Sequence, residues 1–401
     1  MISGFEGKVS EGTMLDWLII GGGIHGTYLS LYLTRWKGVK AGAVRVLDAH
    51  DEPLTLWNHY TANTGMAYLR SSHAHNLHFD PFSLVTFART RDGLPLADFI
   101  EPYGRPAYAL FQAHCQRLIE RYQLRALRLK GRATGMKRLL DGWQVETTEG
   151  TVSARRVIVA IGLTEQAHWP EWARTLRASG RRVDHLFDTT FQRKDVPAGE
   201  SVVVGGGITA VQSALALAAN APGQVTLLMR HTPRLHPFDA DLGWITHQYL
   251  DGFHQETDYG RRRAMIKGAR YRGSIPTDVA GEMAAAEQDG RLRVMIDTVE
   301  GASATAQGSR LHLGSGDSLA ANQVVLATGF DAQRPGGAWL DAVIDQYGLP
   351  TAADGYPIVD RGLCWAGGLQ VSGPLAELEV GPVARNFAGV KLAAERIGAT
   401  L

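Results

Sequence analysis

The chain has 401 residues, 41 Lys+Arg against 40 Asp+Glu and a formal net charge of +1; at roughly 100–200 residues per domain this allows several domains and a substantial core, and excludes a small stapled scaffold. So even a balance supplies no field that would draw the chain to nucleic acid or to an anionic membrane surface. Two cysteines, Cys115 and Cys364, stand far apart with no C-x-x-C, which excludes a cysteine-rich zinc module and a dithiol redox pair and fits a reducing, cytoplasmic setting.

No apolar run reaches the roughly 18 residues needed to span a bilayer. Residues 1–13 are polar and glycine-rich and read as a loose extension without the pattern of a signal peptide. Met14 to Ile20 (MLDWLII) is a short apolar strand. It runs into Gly21-Gly22-Gly23-Ile24-His25-Gly26, and the next residues have the apolar spacing of a helix. In this G-x-G-x-x-G pattern the first glycine permits the tight turn, the second lets the backbone approach a pyrophosphate, and the third lets helix and strand pack closely. The helix N-terminus, with unpaired N–H groups and a favourable dipole, then holds the anion. Residues 43–47 form a second strand that delivers Asp48, placed to accept from a ribose hydroxyl.

From Asp51 to Phe99 the pattern is irregular yet rich in aromatic and apolar residues, a functional segment more than a disordered one. His73, His75 and His78 lie in it; a loop of three histidines does not set tetrahedral geometry, and hydrogen bonding is their expected work, with no metal. Residues 108–121 have helical spacing and enclose Cys115, read as an inert core thiol.

The opening pattern recurs. Residues 200–204 (ESVVV) lead into Gly205-Gly206-Gly207-Ile208-Thr209-Ala210, a helix, and a strand over 225–229. Ala210 is an allowed replacement for the third glycine, so Gly205, Gly207, Ile208, Thr209 and Ala210 are candidate dinucleotide ligands. This strand ends in Arg230, with His231 and Arg234 just after. A guanidinium there suits a 2′-phosphate and selects NADPH over NADH; the other reading is an ordinary surface arginine. Residues 244–272 turn basic, with Arg261, Arg262, Arg263, Lys267, Arg270 and Arg272. Two readings stand, a phosphate or acidic-substrate contact and a solvated helical face. Pro382 suits the first position of a C-terminal helix over 383–397. Two dinucleotide sites without a reactive dithiol imply hydride passing from a nicotinamide to a flavin.

With these elements in place the sequence resembles the two-dinucleotide-binding-domain flavoproteins, and within them the class B flavin monooxygenases, which include flavin-containing, Baeyer–Villiger and amine N-hydroxylating enzymes. Further segments carry the resemblance: Arg156 to Gly162 followed by His168-Trp169-Pro170, Val183 to Asp188, Val324 to Phe330 with its Ala-Thr-Gly, and Gly367-Gly368 with Glu379 to Pro382. The chain departs from the family pattern at Ala178, where an aromatic residue is usual, in the Gly180-to-His185 spacing, and at Asn322, where an acid is common.

The resemblance implies an α/β fold of two Rossmann-like domains: an FAD domain made of 1–195 and 320–401, with an NADPH domain, 196–319, inserted into it. It places Trp57 and Arg70 near the flavin ring, Gly329 on the returning strand, and Gly367, Gly381 and Pro382 in the segment that reaches the ring. It implies FAD at the first fingerprint and NADPH at the second. One oxygen atom of O2 would pass from a C4a-peroxyflavin to a small-molecule amine, sulfur or carbonyl substrate, whose identity is expected to depend on loops within 51–99 and 244–272. A flavoprotein that hands electrons to a quinone, a carrier or O2 without oxygenation is the alternative expectation; a non-catalytic nucleotide sensor is another.

Overall fold

The computed structural model describes residues 13–401; the loose extension expected over 1–13 lies outside them, save Thr13. Strand Met14–Ile20 is buried over most of its length on both faces, as a central strand of a parallel sheet must be. It pairs in parallel with Val44–Asp48 on one side and Gly150–Val159 on the other. Arg128–Lys130 extends the sheet beyond the first, and Leu369–Val371 beyond the second. An antiparallel hairpin, Ala133–Leu139 with Gly142–Thr147, leans on Gly150–Val159.

A second, five-stranded parallel sheet runs in the order Leu292–Ile296, Val225–Met229, Ser201–Val204, Gln323–Leu326, Val183–His185. A three-stranded antiparallel sheet over residues 299–321 attaches to this unit. Each parallel sheet has its own apolar core. Sheet membership moves the boundaries expected at 195 and 320: Val183–His185 and Gln323–Leu326 belong to the second sheet, because hydrogen bonding to Ser201–Val204, directly or through a neighbour, is what satisfies their backbones.

Two local expectations change. Helix Thr55–Thr64 stands inside the segment read as irregular, entered through Leu54 at φ 62°. The C-terminal helix begins later than Val383: Pro382 opens a 3-10 turn, Pro382–Arg385, and Asn386 then caps helix Phe387–Gly398, its side-chain oxygen accepting from Gly389 N–H at 3.1 Å. Asparagine is a strong N-cap, so it sets the start in preference to the proline.

Candidate functional site

Both fingerprints sit at carboxyl ends of parallel strands, where α/β sheets place ligands. At the first, Gly21 adopts φ +106°, and a Cβ there would stand 2.7 Å from Ala160 O. Only glycine fits that turn. A Cβ on Gly26 would collide with Gly21 O, so this glycine is what lets helix Ile24–Leu31 pack against the strand. A Cβ on Gly23 would meet nothing within 4 Å, which leaves an open cradle in front of the helix. That N-terminus has neither a side-chain cap nor an acidic residue in its first turn, so its N–H groups are available to an anion. Asp48 accepts from Gly22 N–H at 2.6 Å and His50 N–H at 2.9 Å.

Several buried polar atoms around this cradle lack a partner: His25 Nε2, His50 Nε2, and Arg128 Nε and Nη1. Leaving such groups unpaired costs about 1–3 kcal/mol each, so the residues present fit a polar occupant such as an adenosine diphosphate moiety. His25 is buried, its Nδ1 is 2.8 Å from Ser372 Oγ, and burial holds its pKa down at about 4. The imidazole is neutral near pH 7 and ties the first turn to the C-terminal segment.

The second turn repeats the design. Gly205 has φ +153°, and a Cβ on it would lie 2.5 Å from Ala327 O. Helix Ile208–Ala218 is again uncapped and free of acid in its first turn, and a Cβ on Gly207 would meet only Gly273 Cα, at 3.8 Å. Ile208 and Thr209 open this helix, and Ala210 is fully buried against Gly205. Arg230 and Arg234 are exposed and make no ion pair among the described residues. His231 packs beside Gly206 and Gly273 and donates through Nδ1 to Thr232 O at 2.8 Å. These residues, with exposed Arg272 next to Gly273, border the second turn with arginines that make no ion pair among the described residues.

The other predicted residues divide. Trp57 joins an aromatic group with Tyr108, Phe111 and Phe387, ring centroids 5.6, 5.4 and 6.2 Å away. It links helix Thr55–Thr64 to the C-terminal helix. Arg70 does not stand free for a flavin contact: its guanidinium donates to Asp239 Oδ1 and Ser274 Oγ at 2.8 Å and to His236 O and Phe238 O at 2.9 Å. It fastens the first unit to the 236–239 loop of the second. Gly329, at φ +81°, follows the returning strand, and its carbonyl accepts from His168 N–H at 2.9 Å.

Gly367 is a correction. It turns the hairpin between Cys364–Ala366 and Leu369–Val371 and accepts from the Trp143 indole at 2.9 Å. Leu369 pairs with Val157 while Val371 pairs with Val159, so Gly367 stands at the end of the sheet opposite the glycine turn. Gly381 has φ +87° and faces Trp244 and Leu250; Pro382 O accepts from Arg270 Nε at 3.0 Å. Both belong to a buried stretch, residues 369–384, that comes to His25 at its Ser372 end.

The basic run is not a uniform solvated face. Arg261, Lys267 and Arg272 are exposed, but Arg263 and Arg270 turn inward onto fully buried Glu377, which Arg385 also engages. Arg262 meets Glu379 Oε2 at 2.9 Å. Burial alone would raise the Glu377 pKa; the guanidiniums of Arg270, Arg385 and Arg263 outweigh it and hold the group at about 2. His78 Nδ1 accepts from Asp80 N–H and its Nε2 is 3.3 Å from Tyr122 Oη, while burial lowers His75 and His78. Among the described residues no group of three His, Cys, Asp or Glu is arranged to hold a metal ion.

Sequence reasoning missed three residues at the first turn. Arg128 reaches Asp48 Oδ1 at 3.2 Å and lies where a side chain on Gly22 would have to go. Ser372 meets His25, and Gly373, at φ +73°, lies against the same imidazole. None is near the fingerprint in sequence; parallel pairing alone brings them there.

A family model described as pyridine nucleotide-disulphide oxidoreductase matches residues 18–261. No curated protein matches. Among solved structures, the ornithine hydroxylase PvdA from Pseudomonas aeruginosa superposes with a TM-score of 0.74 at 17% identity, covering 97% of this chain and 98% of its own. L-lysine 6-monooxygenase from Pseudomonas syringae gives 0.73 at 19%, covering 96% and 98%. The ornithine N-hydroxylase KtzI from Kutzneria sp. 744, described with reduced FAD, NADP+ and L-orn, gives 0.74 at 17%, covering 97% and 99%. The likeness is one of fold, and it extends over nearly the whole chain. No helix of the described residues is long and apolar enough to cross a membrane.

Proposed function

The chain belongs to the pyridine nucleotide-disulphide oxidoreductase family, and from that premise we propose that it is an NADPH-dependent FAD monooxygenase that transfers one atom of O2 to a small-molecule amine, sulfur or carbonyl substrate. The observation that carries this reading is the pair of open, uncapped glycine turns in one chain that lacks a dithiol. Cys115 is buried, with its thiol pushed up by burial, and Cys364 is likewise unpaired and raised. The chain therefore has no thiol pair of its own to relay electrons to a disulfide. The names of the neighbours favour an amine nitrogen as the acceptor. A cytoplasmic setting belongs to the same proposal and is supported by the free cysteines.

FAD, when bound, supplies hydride acceptance and the activation of O2. What this chain contributes is position. The N–H groups at Gly23 to His25 would hold the pyrophosphate and Asp48 a ribose hydroxyl; Arg128 would add its two unpaired donors. Arg230 and Arg234 would meet the 2′-phosphate of NADPH at the second turn. Neutral His25, having no proton to release near pH 7, would keep a buried acid away from the first turn, and the buried 369–384 stretch would limit water there.

The test is turnover of the flavin-loaded protein with NADPH under 18O2 and a panel of amines, sulfides and ketones, read by mass spectrometry. One labelled oxygen in a product, formed in step with NADPH consumption, is the expected result. NADPH consumed with hydrogen peroxide accounting for all of the oxygen, whatever the substrate, would replace oxygenation by plain oxidase or reductase behaviour.

A further inference from the structure

The basic run over 261–272 carries more positive charge inward than the acids it meets can neutralise. Glu377 is fully buried, and three guanidiniums converge on it: Arg263 from helix Tyr259–Ala269, Arg270 just beyond that helix, and Arg385 from the turn Pro382–Arg385. Arg263 also pairs with Asp354 at 2.5 Å and lies over the Tyr356 ring, 4.1 Å from its centre. Burial holds the Arg270 pKa below its ordinary value despite Glu377, and the charges of Arg385 and of exposed Arg272 push the same way. Four guanidiniums therefore meet two carboxylates, leaving two positive charges in excess. The adjoining acid, Glu379, does not offset them, since Arg262 and Arg396 share it.

Two of these guanidiniums keep donors in reserve. Arg385 donates through Nε and Nη2 to Glu377, at 2.9 and 3.0 Å. Arg270 donates through Nη2 to Glu377 Oε2 at 2.7 Å and through Nε to Pro382 O at 3.0 Å. Arg270 Nη2 and Arg385 Nε end on the same carboxylate oxygen, so the two guanidiniums are neighbours. In both, Nη1 makes no hydrogen bond among the described residues, and neither Nη1 is shut away from the surface as Arg263 Nη2 is. Each therefore presents an open edge, Nη1 with the second proton of Nη2, the fork that matches two oxygens of an oxyanion. Glu377 fixes both forks in advance, which spares much of the side-chain ordering that loose surface arginines undergo on binding. Two charges in excess suit a dianion better than a monoanion, and a set made of donors rejects ammonium ions and metal cations.

We propose that the Arg270–Arg385 pair, on its Glu377 seat, binds a phosphate group, either the free ion or a monoester. The inference does not rest on the flavin reading, since none of these residues belongs to either glycine turn. An occupant held by both forks would bridge the 259–272 segment to the 377–385 stretch and tighten the contact that Glu377 already makes between them.

Calorimetric titration of the flavin-loaded protein with sodium phosphate at pH 8 and constant ionic strength tests it, alongside R385Q, R272Q and, as a control, R261Q. One saturable site is expected, weakened roughly tenfold or more in R385Q, several-fold in R272Q and unchanged in R261Q, whose arginine is exposed on the same helix but outside the cluster. R385Q leaves Glu377 with Arg263 and Arg270, so it should fold; phosphate should raise the melting temperature of the wild type and not of R385Q. Methyl phosphate binding at least as tightly as inorganic phosphate would identify a monoester as the ligand, and the reverse order the free ion. Absence of saturable phosphate binding overturns the proposal. So does wild-type affinity in both R385Q and R272Q, or loss only when Arg230 and Arg234 are changed to alanine, which would place the phosphate at the second turn. Equal weakening in R261Q would reduce the effect to general attraction by a basic surface, and acetate binding as tightly as phosphate would overturn the dianion.

Discussion

At the scale of single residues, Arg128 and Glu377 are buried charges with opposite situations. Arg128 retains two donors without acceptors beside the Asp48 carboxylate. A hydrogen bond to a charged group contributes about 1.5–3 kcal/mol. Arg128→Met should therefore weaken FAD roughly ten- to hundredfold by fluorescence titration, while FMN, which lacks the adenosine half, binds both proteins alike. An equal loss for FMN would mean that Arg128 acts on the fold and not on the adenosine. Glu377, by contrast, is fully partnered. Glu377→Gln leaves Arg263, Arg270 and Arg385 without their shared carboxylate and should cost about 3–5 kcal/mol in denaturant unfolding. Because its folded pKa of about 2 lies below the ordinary 4.5, the carboxylate's contribution is complete above about pH 4.5 and disappears as pH falls through 2.

At the scale of elements, the two strand–turn–helix units were legible because their signal is local: an apolar run, glycines at defined offsets and a helical period within some thirty residues. What was not legible depends on strand order. Arg128 and Ser372 reach the first turn only because their strands are added in parallel on either side of it. Gly367 misleads for the same reason, since its glycine pair carries no mark of the end of the sheet at which the hairpin lies. The 261–272 basic run hides its role because the acids that draw Arg262, Arg263 and Arg270 inward are 91 to 117 residues away in sequence. Helix Thr55–Thr64 escaped because its apolar residues do not gather on one face. The second turn yields its own prediction. With Arg230 and Arg234 both changed to alanine, the preference for NADPH over NADH in flavin reduction should drop about tenfold or more, with flavin content unchanged. A preference that stayed at the wild-type value would move 2′-phosphate recognition to other residues.

At the scale of the whole molecule, burial shapes the response to acid. His25, His75 and His185 are held at about 4 and His114 at about 3, desolvation being the main cause for each. Below pH 6.5 the unfolded chain takes up protons that the folded one refuses, so stability falls from about pH 6.5 towards pH 4. The melting temperature should decline steadily between pH 7 and pH 5, and a rise over that interval would contradict neutral buried imidazoles. Arg70 and Arg105 cross from one unit to the other, through Asp239 and Asp278, and hold the two turns in a common frame.

That frame has purpose only if reducing equivalents travel from the second turn to the first. Mixing the flavin-loaded protein anaerobically with one equivalent of NADPH, and following the flavin absorbance, tests this directly. The wild type should bleach, and Gly205→Val, which forces a side chain against Ala327 O, should retain its flavin and stay oxidised. A wild-type protein that takes up no flavin, or holds flavin that NADPH leaves oxidised, would contradict the account.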